Sequence, residues 1–207
     1  MRISYLSKTR SLGPGKRFAI WMQGCAKRCK GCINPEGQDL QGGYETDVRK
    51  LTDKILENDD IAGITISGGE PFLQYEELLY MIRKIKEMSN LDVMLFSGYE
   101  LEELKRMYPD CMDLLKLVDI FVDGEYIEER NNNSIYRGYD NQHIYFFTNK
   151  YSSYSDEILK NKNREFSFDI KDDGEVFFIG IPPKEFYEKF LIKIGGIKNE
   201  WKEGIRS

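Results

Sequence analysis

The sequence lacks long apolar runs, an excess of basic charge and all but one histidine, and each lack excludes a class of function. No stretch approaches the roughly 18 consecutive apolar residues of a membrane-spanning helix. Thirty Lys and Arg residues against 35 Asp and Glu give a net charge of −5, which argues against a general nucleic-acid binder. The N-terminus shows no apolar segment typical of an export signal. We therefore expect a cytoplasmic protein with no membrane or nucleic-acid partner.

Cysteine is also scarce, but three of the four cysteines, Cys25, Cys29 and Cys32, lie within eight residues, while Cys111 stands alone. Disulfides are rare in the cytosol, and three clustered thiols cannot all pair. A structural zinc site normally takes four protein ligands, so it would need His143, Cys111 or a carboxylate as well. An iron–sulfur cluster on three thiolates would keep one iron open, as a catalytic centre requires. Both interpretations stay open at this point.

Predicted strands alternate with predicted helices through the first two-thirds of the 207 residues. The strands are expected over residues 18–23, 64–67, 91–96, 119–122 and 144–147, and the helices over 48–58, 75–88, 100–107 and 114–118. This alternation predicts βα units and an α/β fold with a mainly parallel sheet. Towards the C-terminus, residues 166–179 predict a β-hairpin, and residues 184–192 predict a helix.

Four polar or glycine-rich loops each follow a predicted strand. They are the cysteine loop, Gly-Gly-Glu-Pro at 68–71, Ser-Gly-Tyr at 97–99 and the turn at Asp123. The carboxyl ends of parallel strands share one edge of a sheet, where active sites collect. We therefore expect these four segments to lie together at one edge of the sheet and to form the mouth of a site there, whatever the function is.

Cys-x3-Cys-x2-Cys after the first of these strands and Gly-Gly-Glu-Pro after the second resemble the radical S-adenosylmethionine enzymes. Gly-Pro-Gly at 13–15, Ser-Gly-Tyr at 97–99, Val-Asp-Gly at 122–124 and Arg-Gly-x-x-Asn-Gln at 137–142 make the chain similar to the activating proteins of anaerobic ribonucleoside-triphosphate reductase. The resemblance runs from Gly13 to Gln142, about two-thirds of the chain.

The resemblance implies a partial, incomplete β/α barrel. Residues 1–149 would form the radical S-adenosylmethionine domain. Residues 150–207 would form a C-terminal extension, a small hairpin plus a helix, packed on that domain.

The resemblance also implies the chemistry. Cys25, Cys29 and Cys32 would hold a [4Fe-4S] cluster, whose fourth iron binds S-adenosyl-L-methionine. Electrons from a flavodoxin or ferredoxin would reduce the cluster, and cleavage of S-adenosylmethionine would give a 5′-deoxyadenosyl radical. This radical would abstract hydrogen from a glycine of a partner glycyl-radical enzyme, namely anaerobic ribonucleotide reductase.

Further site residues follow from the same resemblance. Glu70 would pair with the ammonium group of the cofactor. Arg137 and Asn141 would contact the substrate or partner. The full set expected at the cofactor is Gly68, Gly69, Glu70, Pro71, Ser97, Asp123 and Asn34.

Two other functions remain as alternatives. The same radical chemistry would serve a peptide or a small molecule, as in peptide-modifying enzymes or 7-carboxy-7-deazaguanine synthases, with the C-terminal hairpin closing the pocket. A protein without enzymatic activity, a zinc-binding or electron-transfer module, is the second alternative.

Overall fold

A computed structural model describes residues 1–138, 140–170, 172, 176–181, 183, 186 and 190. The strands are β1 (Arg2–Thr9), β2 (Arg17–Met22), β3 (Tyr44–Glu45), β4 (Gly63–Gly68), β5 (Asp92–Phe96), β6 (Ile120–Val122), β7 (Ile144–Phe146), β8 (Ser167–Ile170) and β9 (Val176–Ile179). The helices are α1 (Val48–Leu56), α2 (Tyr75–Met88), α3 (Leu101–Met107), α4 (Cys111–Leu115) and α5 (Ser155–Lys160). In this part of the chain, none of the helices is long and apolar enough to cross a membrane.

The first seven strands form one sheet in the order β3-β1-β2-β4-β5-β6-β7. The central strands β2, β4, β5 and β6 are parallel to one another, and β1, β3 and β7 add antiparallel neighbours at the two sides. The predicted α/β fold with a mainly parallel sheet is therefore confirmed. The described strands run as an open order from β3 to β7, and the partial barrel stays a prediction.

Helices cover one face of this sheet because the apolar residues keep the period of each element. Alternate residues of β2, such as Ile20, face the helices, as expected for a strand with a repeat of two. The helices contribute stripes spaced three and four residues apart. The fully or almost fully buried members of this core include Phe18, Ile20, Met22, Leu51, Ile55, Ile64, Ile66, Leu78, Ile82 and Ile85.

Residues of the C-terminal third pack against β1 and against the face of the sheet opposite the helices, which we call its inner face. Strands β8 and β9 pair antiparallel, so the predicted hairpin is confirmed. The ring of Phe177 stacks on Tyr5 with centroids 4.1 Å apart, and Ile179 is buried with Leu12 and Ala19. The helix predicted at 184–192 falls almost entirely outside the described residues.

Arg164, between α5 and β8, clamps the polar segment that joins β6 to β7. Its Nε donates to the carbonyl oxygen of Ser134 at 2.8 Å, and Nη2 donates to those of Arg137 at 2.7 Å and Gly138 at 3.1 Å. Nη1 donates to Oδ1 of Asn131 at 2.8 Å. One planar guanidinium thus satisfies three main-chain carbonyls and one side chain of this segment.

Strand β1 is an element that the sequence did not predict. Its eight residues mix Arg, Ser, Lys and Thr with Ile, Tyr and Leu, so they show neither an apolar run nor a clean alternation. Only Ile3 and Thr9 of this strand are buried. The strand forms because β2 and β3 offer main-chain partners on its two sides, which is long-range information.

Candidate metal centre and cofactor site

The cysteine loop and the Gly-Gly-Glu-Pro turn are joined by main-chain hydrogen bonds at the carboxyl ends of β2 and β4. The Gly69 amide donates to the Met22 carbonyl at 2.7 Å, and the Glu70 amide donates to the Gly24 carbonyl at 2.8 Å. A Cβ on Gly69 would lie 2.2 Å from the Gly24 carbonyl oxygen, and Gly68 has a φ of +103°. The turn therefore requires glycine at both positions, the first for its backbone conformation and the second for close approach.

Gly69→Ala is expected to displace the start of the cysteine loop, because the clash is with main-chain atoms that cannot rotate away. We expect the iron bound per chain after anaerobic reconstitution to fall roughly twofold or more, since metal ligands must be held to within about 0.5 Å. Gly98→Ala is the matched control, because the added Cβ would lie 3.2 Å from the flexible Cδ of Lys27 and at ordinary contact distance, 3.6 Å, from Glu70 Oε2. Equal iron in both variants would show that the contact does not shape the loop.

The three clustered cysteines are half-buried on the loop after β2, whereas Cys111 is fully buried in the core. The amide of Cys25 donates to the Gln38 carbonyl at 3.3 Å, and the amide of Cys32 donates to the Cys29 carbonyl at 3.3 Å. Main-chain hydrogen bonds within the loop therefore hold its shape, and all three thiols lie on this one loop.

Burial raises the pKa of the Cys25 thiol, although the amides of Lys27 and Arg28 donate to its sulfur and oppose the rise. The pKa of Cys29 is raised to about 12, mainly by burial and next by a hydrogen bond with Glu125. A metal binds the thiolate form, so loading of this site must release protons.

The donor chemistry of the loop fits an iron–sulfur cluster. A closed zinc site takes four protein ligands, one more than the three thiols of this loop. In a cluster, each thiolate binds a separate iron. Two of the possible fourth zinc ligands are occupied elsewhere, since Cys111 lies in the core and His143 Nδ1 is 3.1 Å from Asp123 Oδ1, whereas the carboxylate of Glu125 is hydrogen-bonded to Cys29.

Glu70 connects the Gly-Gly-Glu-Pro turn to the turn after β5. Its fully buried carboxylate accepts from the Phe72 amide at 3.0 Å, from the Ser97 hydroxyl at 3.0 and 3.1 Å and from the Gly98 amide at 2.8 Å. Burial raises the pKa of Glu70 to about 7, although these donors and the charge of Lys27 act in the opposite direction. Its pairing with a cofactor ammonium stays a prediction.

Glu70 should make the free energy of unfolding fall as the pH rises. Its pKa is raised from 4.5 to about 7, so between these values the folded protein keeps a proton that the unfolded chain has released. Its contribution is therefore complete below about pH 4.5 and is lost as the pH rises through about 7. Glu70→Gln has no such proton. The stability advantage of the wild type over this variant should shrink by about 2 kcal/mol between about pH 5 and pH 8 in urea titrations, and a difference that does not vary with pH would refute the assignment.

Asp123 and Ser97 fix the turns after β6 and β5. Asp123, only 1% exposed, accepts from the Leu101 amide at 2.7 Å and from the His143 amide at 3.0 Å. The Ser97 amide donates to the Val122 carbonyl at 2.9 Å. The four loops at the carboxyl edge are thus linked by hydrogen bonds into one mouth, as the strand order predicts.

The remaining predicted residues lie around this mouth. Asn34, on the cysteine loop, accepts from an amide three residues further on, at 3.3 Å. Arg137 donates to the Gln142 carbonyl at 2.9 Å, and Asn141 donates to the Glu125 carbonyl at 2.8 Å. The Arg137 Nε and the Asn141 Oδ1 are buried without a hydrogen-bond partner among the described residues. Pro71 opens a short 3-10 turn. Contacts of all these residues with a cofactor or partner stay predictions.

Two residues that the sequence did not single out also lie at the mouth. Lys27, between the first two cysteines, has its ammonium 4.6 Å from the centre of the Tyr99 ring and 3.4 Å from Glu103 Oε2. The Glu125 side chain is hydrogen-bonded to Cys29. Their only signal in the sequence was their position, one inside the cysteine spacing and one directly after a strand-end turn.

Known proteins match this chain over about two-thirds of its length. Residues 11–145 match the family model described as "4Fe-4S single cluster domain". The anaerobic ribonucleoside-triphosphate reductase-activating protein of Vibrio cholerae is 33% identical over 145 residues, which cover 66% of this chain and 91% of that protein. The proteins of the same name from Haemophilus influenzae (31% over 149 residues, 65% and 90%) and Enterobacteria phage T4 (29% over 138 residues, 64% and 85%) also match. The chain therefore belongs to the 4Fe-4S single-cluster family of anaerobic ribonucleoside-triphosphate reductase-activating proteins.

Proposed function

We propose that this protein is a radical S-adenosylmethionine enzyme that generates a glycyl radical on an anaerobic ribonucleoside-triphosphate reductase. The observation that carries the proposal is the junction of the cysteine loop with the Gly-Gly-Glu-Pro turn, made by the Gly69 and Glu70 amides. It holds the loop that carries the three thiols against the Gly-Gly-Glu-Pro turn. The names of the relatives supply the partner class.

In this proposal, Cys25, Cys29 and Cys32 hold a [4Fe-4S] cluster. When bound, the reduced cluster supplies the electron that splits S-adenosylmethionine and yields the hydrogen-abstracting 5′-deoxyadenosyl radical. The chain's own part is placement. Gly68 and Gly69 let this turn lie directly against the main chain of β2 and of the cysteine loop, and the buried Glu70 holds two neighbouring turns in fixed register.

The packing on the inner face of the sheet favours a macromolecular substrate. Met94, Ile120 and Val122 are fully buried there and are covered by Tyr136 and Tyr151. A substrate must therefore present its hydrogen at the carboxyl edge, and the Cα of a glycine in a partner's loop is accessible because no side chain shields it. This packing favours a glycyl-radical partner over a small molecule held inside the sheet.

The rest of the proposal concerns setting and shape. We propose a flavodoxin or ferredoxin as electron donor and the cytoplasm as the location. We also propose that residues 1–149 form a partial β/α barrel and that residues 150–207 form an extension packed on it.

The test is anaerobic reconstitution with iron and sulfide, followed by addition of S-adenosylmethionine, a reductant and the reductase of the same source. The expected results are release of 5′-deoxyadenosine and a glycyl radical signal in electron paramagnetic resonance that requires all components. Cleavage without a glycyl radical on any available reductase would redirect the proposal to a peptide or small-molecule substrate. A colourless zinc protein that releases no 5′-deoxyadenosine would refute it.

A further inference from the structure

The Lys27 side chain is largely buried and lies between the cysteine loop and the turn after β5. Its side chain is 17% exposed, and its ion pair is with Glu103, at an N–O distance of 3.4 Å. The same oxygen of Glu103 already accepts from the Glu100 amide at 2.8 Å. Tyr99 provides the other contact, through the face of its ring.

In the described part of the chain, the Lys27 ammonium makes one hydrogen bond, to Glu103. An ammonium carries three donors, and taking it out of water is costly unless the charge is paired and hydrogen-bonded. One long contact with a shared oxygen and one ring face meet that need only partly. The other cations of the cysteine loop, Arg28 and Lys30, are exposed to solvent, so Lys27 is the basic residue of this loop that is held inward.

Lys27 lies at the mouth, beside the turn after β5. The Cδ of Lys27 runs beside Gly98, where an added Cβ would lie 3.2 Å away. The Gly98 amide donates to Glu70, and the charge of Lys27 acts on that carboxylate. The Lys27 cation and the Glu70 carboxyl group thus flank the turn after β5, next to the cysteine loop.

We propose that Lys27 binds the carboxylate of the methionyl group of S-adenosylmethionine. This inference rests on the proposed function. The methionyl end carries one amino group and one carboxylate, so a site that combines the Glu70 carboxyl group with the Lys27 cation complements it. A carboxylate has two oxygens, so one would stay free to accept from Lys27 if the other bound the open iron. A charge-assisted hydrogen bond of this kind would replace the long contact with Glu103.

The test compares the affinities of S-adenosylmethionine and decarboxylated S-adenosylmethionine, measured by anaerobic equilibrium dialysis against the oxidised, cluster-loaded protein. Lys27→Met should weaken S-adenosylmethionine about tenfold or more, the effect of one charge-assisted hydrogen bond. It should change the affinity for the decarboxylated analogue by less than about twofold, because that ligand lacks the carboxylate. Lys30→Met, the same change on an exposed lysine of the loop, should alter neither affinity.

The outcomes separate the inference from the function on which it rests. Equal loss of both ligands in Lys27→Met, or no loss of either, would overturn the role of Lys27 while leaving the enzyme's chemistry intact. A wild type that binds neither ligand would overturn both. Iron content is checked first in each variant, and Lys27→Gln replaces Lys27→Met if the latter loses its cluster. Lys27→Arg should restore the preference for the carboxylated ligand.

Discussion

Cys25→Ala, Cys29→Ala and Cys32→Ala should each lose most of the bound iron and all detectable cleavage of S-adenosylmethionine. Each thiolate would bind a separate iron, so the remaining two cannot compensate. In the described part of the chain, no second group of three Cys, His, Asp or Glu side chains is available to replace a lost thiolate. Iron and sulfide analysis, the visible absorbance of the cluster and 5′-deoxyadenosine release measure the effect.

Cys111→Ala is the control for this set. Cys111 is fully buried in the hydrophobic core on the N-terminal turn of α4, where a free cysteine behaves as a small apolar residue. The variant should keep its iron and its cleavage activity and lose about 1 kcal/mol of stability through the small cavity. Loss of iron from Cys111→Ala would mean that the site is closed by a fourth thiolate, which contradicts the open iron.

Asp92→Ala should lower the free energy of unfolding by about 3–5 kcal/mol, the cost of leaving a buried charge without its partner. Arg17 is fully buried and Asp92 is 1% exposed, and the two form an ion pair between the starts of β2 and β5. The Arg17 guanidinium also donates to Thr65 Oγ1 at 2.7 Å and to the Ile64 carbonyl at 2.6 Å, while Tyr151 donates to Asp92 at 2.7 Å. Removal of the carboxylate therefore disturbs a network that spans three parallel strands.

Urea denaturation of the wild type and the variant in the same cluster state measures this effect. In a chain of this length the thermal midpoint should fall by roughly 10 °C. Lys84→Met is the matched control, because its pair with Glu87 is exposed, and it should change stability by less than about 0.5 kcal/mol. A loss below 1 kcal/mol in Asp92→Ala would mean that the carbonyls of Pro14 and Ile64 satisfy the Arg17 guanidinium without the carboxylate.

Most of the fold was predictable because its core elements carry strong periodic signals. Helix α2 begins and ends at the predicted residues, since its apolar residues keep the helical spacing throughout. The four loops meet as expected because parallel strands leave no other place for their carboxyl ends. The hairpin β8–β9 followed from alternation and turn residues.

What escaped prediction depends on contacts between distant residues. The role of Glu70 as a buried link between two turns requires Ser97 and Gly98, 27 and 28 positions away. Lys27 has no pattern of its own, and its inward position depends on Tyr99 and Glu103 of another loop and helix. Such pairings follow from the folded sheet, and local propensity does not encode them.

The guanidinium of Arg164 has a consequence for shortened versions of the chain. A deletion after Asn149 would leave roughly the span shared with the relatives, but it would also remove the donors that satisfy the carbonyls of Ser134, Arg137 and Gly138. These oxygens would then hydrogen-bond to water instead. The segment in which Asn141 donates to the Glu125 carbonyl would reorganise with them. A minimal active fragment should therefore extend at least through Ile179, the last residue of the hairpin.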